Sequence, residues 1–177
     1  MPKRKLNEKD VPEAAEPVSS APASFNDFGL EPRLLRGIRD QKWSLPTPVQ
    51  QKVIRLALDG RDNILARSGT GTGKTAAYLL PILDRILRRT ASQESRATSL
   101  ILVPTRELAL QVTRLAQSLT TYCRQDVRIQ NIAGKESEIV QRAGLSQNPD
   151  IVVGTPARVV ACTNTGALEL KELSHLV

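Results

Sequence analysis

The chain has 177 residues, enough for one domain with a proper core, and its 40% hydrophobic and 24% charged content is ordinary for a soluble globular protein. A formal net charge of +7 points to a polyanionic partner, nucleic acid first. Aromatic residues make up only 3%, and Phe25, Phe28 and Trp43 all fall in the first quarter, so a base-stacking platform is poorly supported and any nucleic acid should be gripped by its backbone.

Other classes are disfavoured as well. No apolar run approaches the roughly 20 residues of a membrane span, so no membrane partner is expected. Met1-Pro2-Lys3-Arg4-Lys5 has no hydrophobic stretch behind it and does not read as a secretory signal. Cys123 and Cys162 are far apart, without metal-ligand spacing, and fit packing roles in a reducing compartment. His175, the single histidine, reads as a surface or packing residue.

Residues 1–23 are rich in Pro, Ala, Glu and Ser without periodicity, which predicts a disordered tail. Lys3-Arg4-Lys5 reads either as part of that solvated tail or as part of a nuclear address. Order is expected from Ser24-Phe25-Asn26-Asp27-Phe28 onward. Pro32 suits the first turn of a helix whose apolar face carries Leu34, Leu35 and Ile38. Thr47-Pro48-Val49-Gln50 is then a helix start: Thr47 as N-cap, Pro48 at the first position, Gln50 completing a capping box. That helix runs through Val53, Ile54, Leu56 and Ala57 and stops at Asp59-Gly60.

The next stretch carries chemistry. An apolar run, Asn63–Ala66, leads into Ser68-Gly69-Thr70-Gly71-Thr72-Gly73-Lys74-Thr75, and a helical pattern follows over Gly73–Arg89. Strand, glycine-rich loop, Gly-Lys-Thr and helix is the layout of a P-loop. Glycines let successive N–H groups converge on one concavity, and the helix adds its unpaired N–H groups and positive dipole end. Lys74 is placed to reach terminal phosphates and the Thr75 hydroxyl to ligate Mg²⁺. Ser68 stands where the general pattern has glycine.

Beyond the polar stretch Ala91–Ala97, short apolar runs alternate with amphipathic segments. The runs are Ser99–Val103, Val127–Ile132, Ile151–Val153 and Leu176-Val177; the helical patterns are Arg106–Tyr122, Lys135–Leu145 and Ala157–Cys162. This predicts an α/β fold, a parallel sheet flanked by helices, with ligands at the carboxyl ends of its strands. Two further segments begin where strands end. In Pro104-Thr105-Arg106-Glu107, Thr105 is placed to cap and Glu107 suits the dipole. Arg106 opposes the dipole, which points to a phosphate contact or an internal ion pair. In Thr155-Pro156-Ala157-Arg158, Thr155 is placed to cap, Pro156 starts the helix and Arg158 again lies in the first turn. The pair reads as a second surface for phosphates.

In this combination the chain resembles, over residues 24–177, the first RecA-like lobe of the DEAD-box ATP-dependent RNA helicases. The likeness rests on Phe25, Trp43, Pro46, Thr47 and Gln50 as the Q motif, Ser68–Thr75 as motif I, Pro104–Ala109 as motif Ia and Thr155–Arg158 as motif Ib. Within the family, the N-terminal stretch from Lys3 to Pro12 and Asp62–Tyr78 are most similar to a fungal nucleolar type that acts in large ribosomal subunit assembly. Departures are Lys42 before the Q-motif aromatic, where glycine is usual, Ser68 for alanine, Ala133-Gly134 for a glycine doublet, and Ala157 where glycine is common.

The resemblance implies the following roles. Gln50 reads the adenine edge of ATP, Trp43 packs near the base, and Phe25 supports both; Gln50's capping role can coexist with this. Ser68–Thr75 hold the phosphates, with Lys74 and Thr75 taking part in catalysis and Thr75 holding Mg²⁺. Pro104, Thr105, Arg106, Glu107, Thr155, Pro156 and Arg158 contact single-stranded RNA. The resemblance also implies nuclear and nucleolar location and pre-ribosomal particles as partners. In the family, an acidic motif, a Ser-Ala-Thr motif and a second lobe with an arginine finger follow the position of Val177. These 177 residues are therefore expected to be part of a longer helicase and to hydrolyse ATP negligibly alone. The alternatives are a non-catalytic nucleotide- or RNA-binding module and a P-loop ATPase of unrelated purpose; the Q motif argues against the last.

Overall fold

The computed structural model describes residues 24–60, 63–89, 99–134 and 136–177. The tail at 1–23 with Lys3-Arg4-Lys5, and the polar stretch Ala91–Ala97, lie outside the described residues. Among the described residues the order is α1 (Pro32–Asp40), α2 (Pro48–Leu58), α3 (Lys74–Arg88), β1 (Ser99–Leu102), α4 (Arg106–Leu119), β2 (Ile129–Asn131), α5 (Glu138–Leu145), β3 (Ile151–Gly154), α6 (Pro156–Asn164) and β4 (His175–Leu176). Short 3₁₀ turns at Phe25–Phe28 and Thr121–Cys123 complete it.

The strands form one parallel sheet in the order β2-β3-β1-β4. Ser99 pairs with Ile151 on one side and with His175 on the other, so β1 is engaged on both edges. Side chains alternate between faces along a strand, and here both faces are covered. Ile101, Ile151 and Val153 join α1, α3 and α4 residues such as Leu34, Leu79, Leu83 and Leu119 on one side. Leu100 and Val152 join Leu145 of α5, Val159 and Cys162 of α6, and Leu168 on the other. Two buried faces explain why these strands read as continuous apolar runs.

One expected strand is absent among the described residues. Asn63–Ala66 belongs to no strand, and Leu65 is 101% exposed. A segment becomes a strand only when a neighbour takes its backbone N–H and C=O groups. β1 is flanked by β3 and β4, and the apolar run pairs with neither of the sheet's outer strands, β2 and β4.

The ends of the elements orient the site. At the C-terminus of α3, Arg89 pairs with the buried Asp150, 2.5 Å away, at the start of β3. Asp150 also accepts the Arg128 N–H at 2.7 Å. Helix α3 therefore runs opposite to the strands, and its N-terminus with the glycine-rich loop sits toward their carboxyl ends. There Val103–Thr105, Ile132–Gly134 and Thr155 also emerge.

The N-terminal elements brace this arrangement. Buried Asp84 of α3 accepts the Glu31 N–H at 2.7 Å and pairs with Arg88 at 2.7 Å, and Arg88 donates to the Gly29 carbonyl. Helix α1 crosses the end of α4 so closely that a Cβ on Gly37 would lie 2.0 Å from the Leu119 carbonyl oxygen. Arg36 lies over the Tyr122 ring at 4.1 Å, and Arg33 pairs with Asp126.

Candidate functional site

The loop before α3 is shaped by its own residues. Gly71 and Gly73 have φ of 75° and 89°, a left-handed backbone that glycine adopts without steric cost. Ser68 and Thr72 share a hydroxyl–hydroxyl bond of 2.7 Å, and Thr72 also donates to the Gly69 carbonyl at 2.9 Å. Ser68, the departure from the family pattern, thus cross-links the loop. Lys74 donates to the Ser68 carbonyl at 2.8 Å and to the Gly69 carbonyl, so its ammonium already lies inside the loop. Gly69, Thr70 and Gly71 are exposed. Thr75 hydrogen-bonds the half-buried Tyr78. Burial pushes the Tyr78 phenol above its ordinary value, and the bond to Thr75 partly offsets that.

The start of α2 is fastened to this loop. Thr47 and Gln50 form the expected capping box, with Gln50 N–H to Thr47 Oγ1 at 3.4 Å and Thr47 N–H to Gln50 Oε1 at 2.9 Å. The same side chains reach across the chain. Thr47 Oγ1 donates to the Thr72 carbonyl at 2.8 Å, and Gln50 Nε2 donates to the Gly73 carbonyl at 3.2 Å. A Cβ on Gly73 would lie 2.4 Å from Gln50 Nε2, so glycine is needed there for space as well as for φ. Gln50, 4% exposed, keeps one N–H and one oxygen lone pair beyond these bonds. Phe25 is buried, and its ring lies 6.2 Å from that of half-exposed Trp43, which it supports from behind. Sequence reasoning had Gln50 as a cap and an adenine reader; the structure adds a tether to the loop. Lys42, beside Trp43, has φ 57°, which accounts physically for a preference for glycine at that point.

The two other strand ends differ. Pro104, Thr105, Arg106 and Glu107 are all exposed. Thr105 caps α4 by accepting the Leu108 N–H at 3.2 Å. Arg106 has no ion-pair partner among the described residues. Of the two readings of this arginine, the internal pair is not formed there.

Thr155 does not cap α6 with its side chain, contrary to the sequence expectation. Pro156 presets the first helical φ, and the Thr155 carbonyl accepts the Val159 N–H at 3.0 Å, so the helix starts without the hydroxyl. Arg158 is turned inward. It donates from Nε to the Ile132 carbonyl at 3.4 Å and from a terminal nitrogen to Gln141 Oε1, and it lies 3.9 Å from the exposed Glu138 carboxylate.

Sequence reasoning missed Asp84, Arg88 and Gln141. Asp84 and Gln141 carry a readable signal, a polar residue on the apolar stripe of an amphipathic helix; Arg88 carries none. Among the described residues no His/Cys/Asp/Glu group could hold a metal, and no helix is long and apolar enough to cross a membrane.

A P-loop joined to a buried glutamine, with threonine and arginine at two neighbouring strand ends, agrees with the family model for the DEAD/DEAH box helicases, which matches residues 47–177. The chain belongs to the DEAD/DEAH box helicase family. It is 58% identical over 198 aligned residues to the ATP-dependent RNA helicase DBP9 of Phaeosphaeria nodorum, an alignment covering 99% of this chain and 32% of that protein. It thus spans about a third of that relative's length. Among solved DEAD-box structures it is similar to the RNA helicase Prp28 from Chaetomium thermophilum bound to ADP (TM-score 0.78, 31% identity, 90% of this chain and 38% of that one). It is also similar to Dbp5 of S. cerevisiae bound to RNA and ADP BeF3 (TM-score 0.69, 30% identity, 86% and 37%). The expected α/β fold with a parallel sheet holds, and these DEAD-box neighbours share it.

Proposed function

We propose that this chain is the ATP- and RNA-binding first lobe of an RNA helicase that couples ATP hydrolysis to local unwinding of RNA duplexes. The observation that carries the reading is the direct bonding of Thr47 and Gln50 to the loop carbonyls of Thr72 and Gly73. It supports reading Gln50, with one donor and one acceptor remaining, as an adenine reader beside a phosphate cradle. Lys74 exchanges its loop carbonyls for terminal phosphate oxygens, Thr75 holds Mg²⁺, and Trp43 lies against the base. Such groups stabilise charge on the transferred phosphoryl group.

RNA lies across the strand ends marked by Thr105, Arg106, Thr155 and Arg158. Contacts of this kind grip phosphate and sugar and carry little sequence information. The net charge of +7 supports the polyanion. Turnover requires acidic groups for the metal and the attacking water and a second lobe, which the family resemblance puts after the position of Val177. We infer that these 177 residues bind both ligands and hydrolyse ATP negligibly alone. The likeness to a fungal nucleolar type supports a place in the nucleus and nucleolus, acting on pre-ribosomal particles.

Titrations of the purified chain with Mg²⁺–ATP and with single-stranded oligouridine test this. Lys74→Ala should abolish ATP binding and spare RNA binding; Arg106→Ala should weaken RNA binding and spare ATP. A wild-type chain that binds neither ligand, or RNA-stimulated turnover by the chain alone that Lys74→Ala abolishes, would contradict the corresponding part.

A further inference from the structure

Gln141, on the first turn of α5, is 2% exposed and polar in a helix whose other buried residue is Leu145. Its amide is engaged at both ends. Nε2 donates to the Gly134 carbonyl at 3.4 Å and the Glu136 carbonyl at 3.3 Å, and Oε1 accepts from the Arg158 guanidinium. Arg158 in turn donates to the Ile132 carbonyl. One amide therefore joins the backbone leaving β2 to the arginine that opens α6, and both lie at the carboxyl end of the sheet. We propose that Gln141 is a positioning residue for RNA binding: it fixes the Arg158 guanidinium and the Gly134 and Glu136 carbonyls in one arrangement against the RNA strand. The inference rests on the RNA-binding reading above.

The choice of an amide follows from the chemistry. A carboxylate at position 141 would hold Arg158 more tightly but cancel its charge, and it would have no hydrogens for the Gly134 and Glu136 carbonyls. An apolar residue would fill the space but leave those carbonyls and the guanidinium unrestrained. The neutral acceptor aims the arginine and leaves its positive charge for a phosphate. Glu138 adds little compensation, because it is 3.9 Å away and its side chain is 88% exposed.

The test uses Gln141→Met, which keeps the volume, with Arg158→Ala and the double variant. RNA affinity is measured with single-stranded oligouridine across a salt series, and ATP affinity serves as the folding control. Gln141→Met should weaken RNA binding about fivefold to tenfold, the effect of one lost hydrogen-bonded group. It should lower the salt slope by about 0.7, the single-strand value for one phosphate contact, as Arg158→Ala does, because the same contact is lost. The double variant should be no weaker than the weaker single variant, with ATP affinity unchanged in all. Gln141→Met with wild-type RNA affinity, or losses that add, or a loss with an unchanged salt slope, overturns the inference alone. A wild-type chain that binds no RNA overturns the RNA-binding reading and the inference with it.

Discussion

Replacing Thr47 by Val removes one hydroxyl and almost no volume, and that hydroxyl makes two different bonds. As acceptor it caps α2 through a long 3.4 Å contact with the Gln50 N–H. As donor it holds the Thr72 carbonyl at 2.8 Å. The long cap is at the low end of its class, about 0.5 kcal/mol. The short bond contributes about 1 kcal/mol. The two losses should appear in different measurements. The cap is integral to a helix whose Ile54 is fully buried, so its loss lowers the melting temperature by about 1–2 °C for a domain of this size. The loop is exposed at Gly69–Gly71 and has few other anchors, so losing its tether loosens it without unfolding the core. Nucleotide must then reorder it, and ATP affinity should fall about fivefold. Thr47→Ser, which keeps the hydroxyl, should restore most of both. Fluorescence titration with a labelled ATP analogue and thermal denaturation read the two effects separately. If Thr47→Val binds ATP like the wild type, or if Ser is as damaging as Val, the hydroxyl does not connect helix and loop as argued.

Further outcomes follow from the N-terminal brace. Gly37→Ala gains about 1 kcal/mol in helix propensity. It also places a Cβ 2.0 Å from a backbone oxygen that cannot rotate away, so the net effect should be a melting temperature several degrees lower. Lys42→Gly relieves a left-handed lysine worth about 1–2 kcal/mol, less the entropy glycine loses on folding, and should raise the melting temperature slightly. For Glu31, burial pushes the carboxyl up, but bonds from the Arg33 side chain and the Arg33 and Leu34 N–H groups outweigh it, and the group is held below its ordinary value of 4.5. A depressed folded-state value means stability that is present above pH 4.5 and lost as the pH falls through the lowered value. Thermal denaturation against pH should fall in that acid window for the wild type and be flatter for Glu31→Gln.

Much of this was legible in the sequence because it is local. Caps at Thr47 and Thr105, the proline starts and the Gly-Lys-Thr junction depend on residues within a few positions of one another. The apolar runs of β1 and β3 were readable because both sheet faces are covered. The failures are non-local. Whether Asn63–Ala66 is a strand depends on a neighbouring edge. The roles of Asp84, Arg88 and Gln141 depend on partners such as Glu31 at sequence distance 53 and Gly29 at 59 for the first two, and Arg158 at 17 for the third. Thr155 is a local exception: like Thr47 it precedes a proline start, yet its side chain makes no cap bond.

The central claim is that Gln50 and the loop form one site for an adenine nucleotide. Its most direct test is the ratio of ATP to GTP affinity in the wild type and in Gln50→Ala. Damage to the loop weakens both nucleotides alike, whereas a lost base contact changes the ratio. The wild type should prefer ATP by about tenfold or more, the discrimination typical of a paired amide contact, and Gln50→Ala should bring the ratio close to one. Equal binding of ATP and GTP by the wild type, or a preference for ATP that persists in Gln50→Ala, would contradict the account.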